Sequence, residues 1–163
     1  VYLTQEARKG LWNFIRAHYS MIDAVKGHIY TGEPLAFLLD ESQIQETIEP
    51  YFMARIVDVA QFLRLYPFEG SIRPFHFVVT DPMAEWNNGI FSVATDREGT
   101  VSVTDEPAGK AVELDIQTLS AMLMGYKRPS YLARIERLHT DKRTLRLLEE
   151  IIPDGQPYFS DYF

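Results

Sequence analysis

The chain has 163 residues, and 23 acidic against 16 basic side chains give a net charge of −7 at neutral pH; that length is one ordinary domain, or one complete domain carrying a piece of another. Hydrophobic residues make up 46% and aromatics 13% against 24% charged, which supports a folded core and excludes disorder over most of the length. Cysteine is absent, so disulfides, thiolate nucleophiles, iron–sulfur clusters and cysteine zinc sites are excluded, and a reducing compartment, the cytoplasm, is the expected location.

The longest apolar run, residues 35–39, is far shorter than the roughly 18 needed to cross a bilayer, and no charged-then-apolar leader opens the chain, so no membrane partner is expected. The acidic balance likewise argues against nucleic acid. Val1, Tyr2 and Leu3 read as the end of a strand, an edge cut from something longer. Ala7, Leu11, Phe14, Ile15 and His18 then share one face of a helix of about four turns, with Thr4 as its N-cap. Residues 21–28 are β-rich and ambiguous, residues 31–34 form a turn before the apolar segment 35–39, and residues 40–50 are acidic and exposed.

Alternation over residues 52–59 predicts a strand, with Asp58 on its half-buried face. A short helix over 60–66 follows, closed by Pro67. Four strands are predicted at 75–80, 90–94, 100–104 and 110–114. They are separated by turn signals at Asp81-Pro82, Asn87-Asn88-Gly89, 96–99 and Pro107-Ala108-Gly109, and together read as a meander. Asp115 caps a helix with Leu119, Met122 and Leu123 inward and Gly125 at its end. Pro129 opens a second carrying Leu132, Ile135 and Leu138. Thr140 or Asp141 caps a third carrying Leu145, Leu148 and Ile152, stopped at Pro153. Strands followed by helices predict an α+β fold, an antiparallel sheet covered by helices.

The histidines, at 18, 28, 76 and 139, have no metal-ligand spacing, so no metal is expected, and His18 and His76 read as core or interface side chains. No glycine-rich nucleotide loop is present. The bases between Lys127 and Arg146 have helical spacing and read as a solvated face, with an acidic or phosphate partner as the alternative. Trp86, beside the Asn-Asn-Gly turn, reads as packing. The tail is unusual: Tyr158, Phe159, Tyr162 and Phe163 fall within the last six residues, with Asp161 between them. Docking of so aromatic a tail as a hydrophobic clasp is one reading. The other is chemical, because an ordinary terminal carboxylate near pKa ~3.5 rises in an aromatic pocket towards the range of a general base.

Met53-Ala-Arg-Ile-Val-Asp58-Val, Trp86-Asn-Asn-Gly89, Glu113-Leu-Asp-Ile-Gln-Thr-Leu119, Gly125-Tyr-Lys-Arg-Pro129 and Pro157-Tyr-Phe-Ser-Asp-Tyr-Phe163 resemble, in that order, the C-terminal part of the Eis family of bacterial GNAT acetyltransferases. The resemblance implies two domains: residues 1–53 as the end of a second, cofactor-free GNAT-like α/β domain, and residues 54–163 as a complete sterol-carrier-like domain with its tail. It implies a fragment inactive alone, since acetyl-CoA, the co-substrate, binds an earlier GNAT domain and no cofactor is held by this chain. It assigns the C-terminal carboxylate of Phe163 as the base for the substrate amine. Asp58 would line the substrate pocket, with Asp161 and Tyr162 beside the base; Tyr162 departs from the acidic penultimate residue of some members. Implied partners are the missing N-terminal GNAT domains, an aminoglycoside, polyamine-like or lysine amine, and further copies in a hexamer or trimer. A lipid- or sterol-binding carrier module and an oligomer-forming scaffold are the competing readings.

Overall fold

The computed structural model describes residues 4–29, 35–40, 43–49, 53–96 and 100–155. The chain divides into two compact units, residues 1–49 and 50–163. In the first, helix α1 (Gln5–Ala17) starts where Thr4 accepts the Ala7 N–H at 3.2 Å, with Glu6 in its first turn and Arg16 in its last complementing the helix dipole. None of its residues is buried, and Phe14 is 66% exposed. His18, expected in a core or interface, is half-buried; its Nδ1 pairs with the Phe14 carbonyl at 2.8 Å. A single turn, α2 (Leu35–Leu38), follows, and residues 22–29 and 43–49 form neither helix nor strand.

The second unit holds the core. Residues 53–58 are not the predicted strand. They run without a sheet partner into α3 (Val59–Leu65), whose N-cap is Asp58. Alternation misleads here because Ile56, Val59 and Leu63 are buried at helix-like spacing, while the intervening Val57 is exposed. Strands β1 (Phe75–Thr80), β2 (Gly89–Thr95), β3 (Val101–Thr104) and β4 (Lys110–Asp115) form one sheet in the order β3-β2-β1-β4. The α+β class holds, and β1 to β3 are the expected meander. The fourth strand differs: it pairs parallel to β1, Phe75 opposite Lys110, so the sheet is mixed.

Residues 105–109 make this crossover by lying across the sheet. Ser92 Oγ contacts the Glu106 carbonyl and accepts the Ala108 N–H at 3.0 Å, and His76 Nδ1 pairs with the Ala108 carbonyl at 3.0 Å. Gly109, at φ +69°, comes so close that an added Cβ would sit 1.7 Å from the Pro74 carbonyl oxygen. The turn signal at 107–109 is real, but its role is a crossover and not a hairpin.

The other face of the sheet carries Phe75, Phe77, Val79, Val93, Val112 and Leu114 into the core, with Phe75 and Phe77 edge to face at 5.1 Å. Helices α4 (Ile116–Leu123), α5 (Pro129–Arg134) and α6 (Lys142–Ile151) complete it through Leu119, Met122, Leu132, Leu148 and Ile151. Asp115 and Asp141 cap α4 and α6 as expected, and Gly125, at φ +68°, ends α4. Helix α5 stops sooner than its apolar spacing predicts. Its left-handed terminal residue is Glu136 (φ +60°), whose N–H bonds the Ala133 carbonyl while the Arg137 N–H bonds that of Leu132.

Candidate functional site

Two segments distant in sequence meet at one end of the sheet, residues 55–59 and 81–88. Asp81 follows β1 and is fully buried. Arg55 Nη2 donates to its two carboxylate oxygens at 2.6 and 2.7 Å. Asn87 Nδ2 donates at 3.0 Å, the Met83 N–H at 3.0 Å and the Ala84 N–H at 3.2 Å. Burial alone would push this carboxyl up, but the bonds from Asn87, Met83, Arg55 and Ala84 outweigh it and hold the pKa at about 2. Asn88 locks the Asp81 backbone from both sides at 2.6 Å.

Asn87 is the link to the other segment. Its Oδ1 accepts the Val59 N–H at 3.1 Å and its Nδ2 donates to the Val57 carbonyl at 3.0 Å, so one amide brackets Asp58. Trp86 Nε1 donates to the same Val57 carbonyl at 2.8 Å. From the core side, the Ile56 N–H donates to Ser120 Oγ at 3.1 Å. Asp58 itself is exposed, with Oδ1 accepting the Gln61 N–H at 2.8 Å. The indole of Trp86, expected to pack, is 68% exposed. The arrangement is a fixed negative charge beside a pinned aromatic ring, which suits attraction of a cation and contains no nucleophile–base pair among the described residues.

A second, shallow hollow lies on the polar face of the sheet, lined by Thr80, Glu113, Asp115, Glu136, Arg137 and His139 among others. Arg137 pairs with Asp115 at 2.9 Å and donates to Thr118 Oγ1 at 3.2 Å. Burial pushes the Asp115 carboxyl up, but bonds from Thr118 and the Arg137 charge bring it below the ordinary value. His139 exchanges backbone hydrogen bonds with Glu113 at 2.9 and 3.0 Å, extending the edge of β4. Among the described residues, no group of three His, Asp or Glu side chains is placed to hold a metal ion, and no helix is long and apolar enough to cross a membrane.

Of the expected site residues, Asp58 stands on the rim of the first arrangement, and Asp161, Tyr162 and Phe163 lie outside the described residues. Sequence reasoning missed Asp81, Asn87 and Asn88, taking them for turn formers. Asn87 ends a short 3-10 turn (Glu85–Asn87), and β2 begins at Gly89. Asp58-x-x-Gln61, a capping-box spacing, was the available signal that a helix and not a strand starts there.

A mixed sheet backed by helices, with its first helix clamped to the loop after β1, defines an α+β domain. The chain belongs to the sterol carrier protein domain family, whose model matches residues 59–160. An acetyltransferase (GNAT) domain model matches residues 1–56. A probable N-acyltransferase from Enterococcus faecalis V583 is similar over 99% of this chain and 42% of its own, at 33% identity and a TM-score of 0.84. A GCN5-related N-acetyltransferase from Anabaena variabilis is similar over 96% and 40%, at 28% identity and 0.79. Eis1 from Mycobacterium abscessus shares the fold over 98% and 40%, at 21% identity and 0.68. The chain thus spans about two fifths of the length of these proteins. No curated protein matches it.

Proposed function

We propose that this chain is the C-terminal region of an acetyl-CoA-dependent N-acetyltransferase of the Eis kind, acting on a cationic amine of the aminoglycoside, polyamine or lysine type. The observation that carries the reading is the order of the two domain matches along one chain, acetyltransferase at 1–56 and sterol carrier at 59–160. The similarity to the Enterococcus faecalis probable N-acyltransferase over 99% of the chain supports it. The boundary falls near residues 53 and 54. Acetyl-CoA is held by the part of the longer protein that precedes these residues.

In this reading the terminal carboxylate of Phe163 removes a proton from the substrate ammonium. The freed amine attacks the thioester carbonyl, the new C–N bond forms as the C–S bond breaks, and the second proton lost from the nitrogen goes to the departing thiolate. Asp58 draws the cation in, with Asp161 and Tyr162 beside the base. Copies assemble as a hexamer or trimer in the cytoplasm. The clamp from Trp86 and Asn87 onto Val57 and Val59 supports a positioned charge at Asp58.

The test compares acetylation of an aminoglycoside by the longer protein ending at Phe163 with the same protein carrying one extra alanine. Turnover should fall at least about tenfold while acetyl-CoA affinity holds, because the negative charge moves and the cofactor site does not. Unchanged turnover removes Phe163 from the chemistry. Asp58→Asn keeps a competent helix cap and removes only the charge, so it should raise KM for cationic amines and spare kcat. Stoichiometric lipid in the purified protein would favour the carrier reading instead.

A further inference from the structure

Charge is segregated along this acidic chain. Residues 126–146 carry seven bases against two acids, a local +5 within a total of −7. Two of those bases are engaged. Arg128 is held by Glu149 and by the Ile152, Pro153 and Glu149 carbonyls, and Arg137 pairs with Asp115.

Lys127 and Arg134 are used differently. Lys127 Nζ lies 4.5 Å from the ring centre of Tyr126 and 5.2 Å from that of Tyr131, and Arg134 Cζ lies 5.2 Å from Tyr131. Tyr126, Lys127, Tyr131 and Arg134 therefore form one continuous strip. Tyr126 is 65% exposed and Tyr131 37%. Among the described residues the ion pairs are Arg55–Asp81, Arg128–Glu149 and Arg137–Asp115, which leaves Lys127 and Arg134 without a carboxylate.

We propose that this strip is a docking surface for an acidic polypeptide segment of a partner protein. Tyrosine and arginine supply a large share of binding energy at protein interfaces. The strip is preorganised, since the Arg128 bonds fix the start of α5 to the end of α6, so little ordering entropy is lost on docking. A short acidic segment feels the positive charge within a Debye length of ~8 Å. An extended polyanion would also meet the acidic remainder of the chain, which carries −12. Nucleobases would have to displace the protein's own cations from the tyrosine rings to stack there.

The test is fluorescence anisotropy of a labelled glutamate-rich peptide with a central leucine, titrated with the full chain. Binding should weaken at least about tenfold in a Lys127→Gln/Arg134→Gln variant and fall steeply with salt, while Lys127→Arg keeps it. No binding by the intact chain, or equal binding by the double variant, overturns the proposal. So does a DNA duplex that competes as well as the peptide. Self-association that the double variant abolishes, with no peptide bound, also overturns it and assigns the strip to a second copy.

Discussion

Helices α1 and α6 carry the same sequence signature and meet different ends. Each is capped by a residue that accepts backbone N–H groups, Thr4 and Asp141, and each repeats apolar residues along one face. Helix α6 buries Thr144, Leu148 and Ile151 in the core, whereas α1 buries nothing and leaves Leu11 52% exposed. Amphipathic periodicity specifies which face is available. A partner surface of matching shape is what turns that face into stability. Among the described residues, those of 53–96 and 100–155 supply such a surface from their own sheet, and those up to 49 do not.

The largest test of that contrast is a pair of truncations. Phe77→Ala, at a fully buried site, should cost about 3–5 kcal/mol in denaturant unfolding. In these 163 residues by themselves, Phe14→Ala on α1 should cost under about 0.5 kcal/mol. Equal costs would mean that the face of α1 is covered in solution, and the contrast would fail. Next comes acid. Asp81 is lowered from 3.8 to about 2 in the folded chain, so it contributes stability above roughly pH 4 that is lost as the pH falls through about 2. Melting temperature between those values should drop for the wild type and flatten in Asp81→Asn, with α1 playing no part. The smallest effect is a gain. Glu136 adopts φ +60° at the end of α5, and Glu136→Gly should raise stability by about 0.5 kcal/mol, since relief of left-handed strain exceeds the entropy of glycine. A loss would show that the Glu136 side chain contributes a compensating contact.

Local chemistry was legible in the sequence and long-range pairing was not. Thr4, Asp115, Asp141 and Gly125 announce helix ends through hydrogen-bonding groups or backbone freedom that act within a few residues. The crossover at 105–109 depends on which edge of β1 is open, a property no turn residue encodes. The same limit hid the site. Asp81, Asn87 and Asn88 are good turn residues for the reason that they are good network residues: short side chains that bond backbone. Only their meeting with Arg55, Val57 and Val59 distinguishes the two uses.

The parallel pairing of β4 with β1 bears on how the chain assembles. Phe75 faces Val93 across a link closed by local turns, but it faces Lys110 only after 35 positions have been gathered. Closing that larger loop costs more entropy, and the crossover at 105–109 needs Ser92 and His76 of the β1–β2 ribbon already in place to bond to. Loop closure thus predicts that β4 docks after the β1–β2 ribbon, and that the helices following it, whose core residues pack against the finished sheet, dock after β4. During synthesis, the three-stranded meander can form as soon as Thr104 is free of the ribosome, with one edge of β1 open until the last third of the chain arrives.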